Sequence, residues 1–344
     1  MTATNESHSE DLPDILVPAA YLIGGPSRFT NIYAPVPETI LLDREVVPGQ
    51  IATVSVRHGQ TNALQENRGE GRRARLRTLL EHATRGSQAV EMGERTVYDA
   101  RWVFNGNLAH LFGHHLGNLG FAKSMLGIDG ANCLVILEKN TPRIAHDFFH
   151  LVGYETHETN GAVQGNVLSI DFDHTASYHL IPYIRQLEPP GIDSGGPDRI
   201  CISRRTSRRI TNEAEILAMC VREGYETVYF EEIPLKAQWS LLKHASSVVS
   251  IHGAALGYLN TRGVAGTSAP FELLEIFSPG LVADCYRKMT AVVGGHWIGC
   301  RGKVTADFYR CVEESRNYKD MDAVDFHLDP GALAMAFEKL ALRA

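Results

Sequence analysis

The stretch I-S-R-R-T-S-R-R-I-T-N-E at Ile202–Glu213 decides how the rest of the chain is read. It closes a short apolar run, Arg199–Ser203, and opens a helical pattern at Asn212–Glu223 capped by Thr211 or Asn212. Between them it places Arg204, Arg205, Arg208 and Arg209. The same rhythm continues downstream, with strands expected at Thr227–Phe230, Ser247–Ile251, Leu273–Phe277 and Trp297–Ile298. Helices are expected at Leu235–His244, Asp284–Val293 and Asp329–Leu342, the last with Asp329 as cap and Pro330 in its first turn. The V-V-S-I of Val248–Ile251 carries no alternation, as a strand buried on both faces should not. Strands alternating with helices of this length specify an α/β domain with a doubly wound sheet.

Chemistry in such a domain sits beyond the carboxyl ends of the strands. The arginine turn lies at one such end, and the guanidinium fork suits two-point binding of phosphate. Arg204, which follows the strand most closely, is the first candidate and Arg209 the second. The H-G-A-A of His252–Ala255 follows the next strand. Small residues such as Gly253 and Ala254 let backbone approach a ligand, and the following turn offers free N–H groups to a phosphate. His252 would donate to a pyrophosphate oxygen or to a sugar hydroxyl. Glu275 lies inside the apolar F-E-L-L-E-I-F of Phe271–Phe277, so its carboxylate needs a partner: a ribose diol, or a salt bridge within the domain.

The first half is less regular. Residues 1–13 read as a disordered tail, Ile15–Ile23 as a first strand, residues 66–85 as an exposed amphipathic helix and Cys133–Leu137 as a strand. Asn107–Leu126 has helical spacing, with Asn105 or Asn107 as cap, and Ala145–Val152 is also helical. Thr156–Val167 reads as loop and Tyr178–Ile184 as an extended patch. The prolines and glycines of Pro189–Pro197 mark a linker. The expected domains are therefore 14–188 and 198–328, followed by a helix at 329–344. His110 and His114 share a helix face one turn apart. Without the acid of an H-E-x-x-H box they make a poor zinc site, and no metal is expected. Acceptor binding or general-base work suits them better, with His110 the preferred base and Asn107 and His114 beside it. The D-x-D of Asp171–Asp173 is too common by chance to carry weight.

The bulk properties exclude several classes. A net charge of −7 argues against a nucleic-acid binder. Six cysteines with no C-x-x-C pair, in a chain of 344 residues, argue for free thiols rather than a disulfide scaffold. The polar start M-T-A-T-N-E lacks the features of a signal peptide, and no apolar run is long enough for a membrane span. A cytoplasmic protein is expected, with room for a homo-oligomer.

Taken together, these elements resemble glycosyltransferase family 61, which includes plant xylan-modifying transferases, secretory O-linked N-acetylglucosamine transferases and capsular-polysaccharide enzymes. The matching residues are Ile202-Ser203-Arg204, Arg209-Ile210-Thr211-Asn212-Glu213, Gln238, His252-Gly253-Ala254 and Leu274-Glu275-Ile276. In the first half, Asn107-Leu108-Ala109-His110-Leu111 is similar to the family's N-x-x-H-W element, with leucine replacing the aromatic. The resemblance implies a GT-B fold of two facing Rossmann-like domains, with a last helix able to cross back to the first domain. It also implies an inverting, metal-independent transfer from a nucleotide sugar, UDP-linked, to a glycan or other hydroxyl acceptor in polysaccharide biosynthesis. No separate cofactor is implied. In that reading Arg204, Arg209, Asn212, Gln238, His252, Gly253, Ala254 and Glu275 serve the donor. The alternatives are an epimerase or phosphorylase using the same fold, or an inactive nucleotide-binding scaffold.

Overall fold

The computed structural model describes residues 6–24, 39–61, 89–103, 105–171, 178–192, 195–262, 271–314 and 324–342. The chain divides into two compact units, Met1–Pro13 with Gly49–Pro190, and Asp14–Pro48 with Gly191–Ala344. The crossing at Pro190–Gly191 falls within the stretch read as a linker. The helix expected at 66–85 and the D-x-D residues 172–173 lie outside the described residues.

The second unit is built on a seven-stranded sheet in the order Glu226–Tyr229, Arg199–Ser203, Ser247–Ile251, Glu272–Phe277, His296–Arg301, Ala20–Ile23, Thr39–Leu42. All neighbours are parallel except the last pair. The chain leaves Arg199–Ser203 in one direction to form Glu226–Tyr229, then returns across it to form Ser247–Ile251. That reversal opens a crevice between the ends of Arg199–Ser203 and Ser247–Ile251, where ligands of doubly wound sheets lodge.

Alternate residues of these strands serve different faces. Val249, Ile251, Leu274, Ile276, Ile298 and Cys300 form one core with Ile216 and Cys220 of the helix Glu213–Arg222. Leu333, Ala336 and Phe337 of the final helix Pro330–Ala341 complete it. The opposite face carries Ser250, Glu275 and Gly299, side by side in register.

Three sequence expectations change here. The final helix does not cross back: its apolar stripe is buried in the core of the second unit. Residues 14–48 belong to that unit rather than to a 14–188 domain, because Ala20–Ile23 extends its parallel sheet. Arg287 secures this segment by donating to the carbonyls of Pro18 and Asp43, and Lys288 pairs with Glu45 at 3.1 Å. Finally, the tail read as disordered contains a strand, Glu6–Leu12, whose backbone pairs with Gln50–Thr61 although its side chains are polar.

The first unit holds a six-stranded sheet in the order Glu6–Leu12, Gln50–Thr61, Val163–Asp171, Val90–Asp99, Cys133–Leu137, Glu155–Glu158. The first three strands are antiparallel and the rest join in parallel. Residues 108–126 form a helix with a π-helical stretch, Leu111–Leu116, that leads into Gly117–Leu126. The helix Arg143–Leu151 connects the two outer parallel strands. The segment expected to be loop, Thr156–Val167, instead contributes to two strands, and Tyr178–Ile184 contains a short helix, Ile181–Ile184, started by Pro182.

Candidate functional site

The crevice at the reversal of the second sheet collects the groups with chemical potential. Arg204 Nη1 donates to the carbonyl of His252 at 3.3 Å, and Arg208 Nη1 donates to the same oxygen at 3.1 Å. Two cations from the end of one strand thus meet the first residue after the next. Arg208 reaches this position from a left-handed backbone, φ 58°. Arg204 packs close over Gly253: a Cβ there would lie 2.6 Å from Arg204 Nη1, so any side chain would push the guanidinium aside. Burial lowers the pKa of the Arg204 guanidinium, and the like charge of Arg208 lowers it further. An anion in the crevice would relieve that repulsion.

The His252 ring is fixed from several sides. Its Nδ1 shares a hydrogen bond with Glu275 Oε1 at 2.5 Å. Phe277 stacks on it at 5.4 Å between ring centroids, and Tyr286 tilts against it at 5.3 Å. Tyr286 Oη donates to the Gly253 carbonyl at 2.8 Å, and burial pushes this hydroxyl's pKa well up, so it stays a donor. The turn then enters the 3₁₀ helix Ala254–Thr261, whose first amides lack partners within the helix.

Several expected site residues do other work. Glu275 is fully buried, and its second oxygen accepts from Trp297 Nε1 at 2.7 Å. Both oxygens face protein donors, so the carboxylate is not presented to a ribose; of the two partners the sequence allowed, the internal one is found. Arg209 turns away from the crevice and pairs with Asp325 at 2.6 Å, because the strap at 324–328 passes beside it. Asn212 holds that strap, donating to the Leu328 carbonyl and accepting from the Leu328 N–H. It makes no side-chain cap to its helix. Gln238 is buried and donates to the carbonyls of Phe230 and Ile233, which shapes the loop beyond Glu226–Tyr229. Of the donor-side candidates, the structure brings together Arg204, His252, Gly253 and Ala254, with Glu275 behind the His252 ring.

Arg208, Tyr286 and Trp297 complete this cluster and were not singled out from the sequence. Arg208 was one of four arginines in a row of equal appearance. The two aromatics stand far from the arginine turn in the chain: Tyr286 arrives on the helix Cys285–Val292 and Trp297 on the strand His296–Arg301.

In the first unit, Asn107 caps its helix by accepting from the Ala109 N–H at 2.9 Å. His110 and His114 lie edge to face at 5.6 Å, and Trp102 meets His114 at 5.5 Å and His115 at 5.2 Å. His115 is buried and its Nδ1 bonds Tyr98 Oη at 3.0 Å. The π-helical stretch widens the turn that carries His114 and His115, a distortion frequent at functional sites. At the end of the strand Val90–Asp99, Arg101 is locked to Asp99 at 2.5 Å and donates to the carbonyls of Thr159 and Gly161. Among the described residues no cluster of His, Cys, Asp or Glu is arranged to hold a metal, and no helix is long and apolar enough to cross a membrane.

The family model described as Glycosyltransferase 61 matches residues 70–258, more than half of the chain. That span includes the histidine helix, the arginine turn and His252. No curated protein matches the chain.

Proposed function

Since this chain belongs to the glycosyltransferase 61 family, and so is a glycosyltransferase, we propose that it moves a sugar from a nucleoside-diphosphate donor, UDP-linked, to a hydroxyl of a glycan acceptor with inversion. The observation that carries this reading is the meeting of Arg204 and Arg208 on the His252 carbonyl at the sheet's reversal point. The two α/β units are read as the donor and acceptor halves of a GT-B enzyme.

In this reading Arg204, Arg208 and the first amides of the 3₁₀ turn at Ala254 hold the diphosphate. The bond between the anomeric carbon and the diphosphate oxygen breaks, and its electron pair stays on that oxygen. The guanidiniums stabilise the charge that develops there, so side chains supply the neutralisation. The acceptor oxygen forms the new bond at the anomeric carbon from the opposite face. His110 takes the acceptor's proton, and Asn107 and His114 shape the acceptor side.

A panel of nucleotide sugars screened by thermal shift, followed by analysis of the product's anomeric configuration, tests the proposal. One UDP-sugar should stabilise the protein and yield an inverted glycoside. A retained product or the absence of any nucleotide stabilisation would contradict it. His110→Ala should keep UDP-dependent stabilisation and lower transfer by about 10²–10⁴-fold; transfer at the wild-type rate would remove His110 as base.

A further inference from the structure

The second unit contains a relay that the transfer reaction as described does not use. Glu275 sits in the middle of a parallel strand with no exposed surface, where an ionised carboxylate is costly unless its oxygens are matched by donors. One donor is His252 Nδ1 and the other is Trp297 Nε1. Trp297 reaches it by a specific route. Gly299 is the register neighbour of Glu275, and a Cβ on Gly299 would lie 2.5 Å from the Trp297 ring. The missing side chain is the space in which the indole lies down, crossing one strand position to touch the carboxylate.

This arrangement assigns the imidazole proton. The nitrogen that faces a buried carboxylate is the one that carries hydrogen, so Nδ1 is the donor and Nε2 is left as the nitrogen available to a ligand. The ring is held against rotation by Phe277 and Tyr286. Its other surroundings bear on the role of Nε2. Arg204 and Arg208 already bring two cations to this residue's own carbonyl. From the neighbouring helix Cys285–Val292, the ionisable groups that feel Glu275 are Tyr286 and Cys285, whose thiol is pushed up to about 12 by burial and then by the charge of Glu275; Arg287 and Lys288 of that helix bond Pro18, Asp43, Glu45 and Asp284 instead. Phosphate therefore has its cations without the imidazole, and a third cation would be repelled by the first two.

We propose that Glu275, anchored by Trp297, is a positioning residue that holds His252 with Nδ1–H inward and Nε2 outward as a hydrogen-bond acceptor, so that His252 reads a hydroxyl of the donor while Arg204 and Arg208 take its phosphates. The choice of ligand rests on the donor-site reading above; the relay itself does not. The hydroxyl belongs either to the ribose or to the transferred sugar, and the two are separable by probe.

The test combines a spectrum and a set of titrations. In the ligand-free protein with ¹⁵N-labelled histidine, with the His252 signals assigned by their loss in His252→Ala, His252 should show the Nδ1–H tautomer. Glu275→Met should release that preference, Glu275→Gln should restore it because its amide oxygen still accepts, and Trp297→Phe should weaken it. In calorimetry, His252→Ala and Glu275→Met should each weaken a hydroxyl-bearing ligand by about tenfold while leaving inorganic pyrophosphate within about twofold. Arg204→Ala should weaken both. A loss seen already with UDP assigns the ribose; a loss seen only with UDP-glucose assigns the sugar. The two variants should be non-additive, Glu275→Met costing little more once His252 is absent.

An Nε2–H tautomer in the wild type, or equal losses for pyrophosphate and UDP in His252→Ala, would overturn the proposal. If Glu275→Met does not fold, Glu275→Gln and Trp297→Phe decide it by the same spectrum. Should wild type bind neither pyrophosphate nor any nucleotide, the donor-site reading fails, while the tautomer measurement still decides the relay.

Discussion

Each unit places an arginine just past the end of a parallel strand, and the two are treated in opposite ways. In the first unit Arg101 is bound to the carboxylate of Asp99, and the charge is cancelled where it stands. In the second, Arg204 and Arg208 donate to a carbonyl, which carries dipole but no formal charge. The first arrangement stiffens the end of the strand Val90–Asp99, which leads into Trp102. The second holds the Arg204 guanidinium buried beside the like charge of Arg208. The same position in similar topology thus provides a neutral floor in one unit and an anion-seeking end in the other. The proposed division between acceptor and diphosphate follows that difference.

The largest change that sharpens this contrast is Asp99→Ala. It leaves the buried Arg101 without its counter-charge and should destabilise the protein by about 3–5 kcal/mol in denaturant unfolding. UDP binding of the folded fraction should persist, because the carboxylate serves only its own unit. Loss of UDP affinity in fully folded Asp99→Ala would break the contrast.

A smaller effect is expected from Gly253→Ala. The added methyl displaces the Arg204 guanidinium, so UDP affinity measured by calorimetry should fall by about tenfold, with little change in melting temperature. Unchanged affinity would mean that the position of Arg204 does not matter. The smallest effect belongs to Arg209→Ala. This arginine is exposed and paired with Asp325, and its removal should leave UDP affinity within about twofold.

The second unit was legible in its sequence for a physical reason. Parallel strands buried on both faces must be short apolar runs, and Ser247–Ile251 and Glu272–Phe277 are such runs. The first unit obscured itself. Glu155–Glu158 reads E-T-H-E because it lies at a sheet edge, and Val163–Asp171 carries Gln164, Gly165 and Asn166 at its start. Glu6–Leu12 is a strand by backbone pairing alone. Conversely, the apolar Tyr178–Ile184 looked extended but contains the short helix Ile181–Ile184, with Pro182 in its first turn.

The candidate site divides along the same line. His252 and Arg204 announce themselves by following strands directly. The choice of Arg208 over Arg209 depends on the strap that brings Asp325 to Arg209 from 116 residues away. The fate of Glu275 depends on Trp297 and on the missing side chain of Gly299. Such pairings follow from register, which no local pattern displays.

The most direct test of the account is calorimetric titration of UDP into the wild-type protein and into the double variant Arg204→Ala/Arg208→Ala. Wild type should bind saturably, and the double variant should bind at least about a hundredfold more weakly with its fold intact. UDP binding of equal strength in both proteins would show that the diphosphate does not sit at the end of Arg199–Ser203.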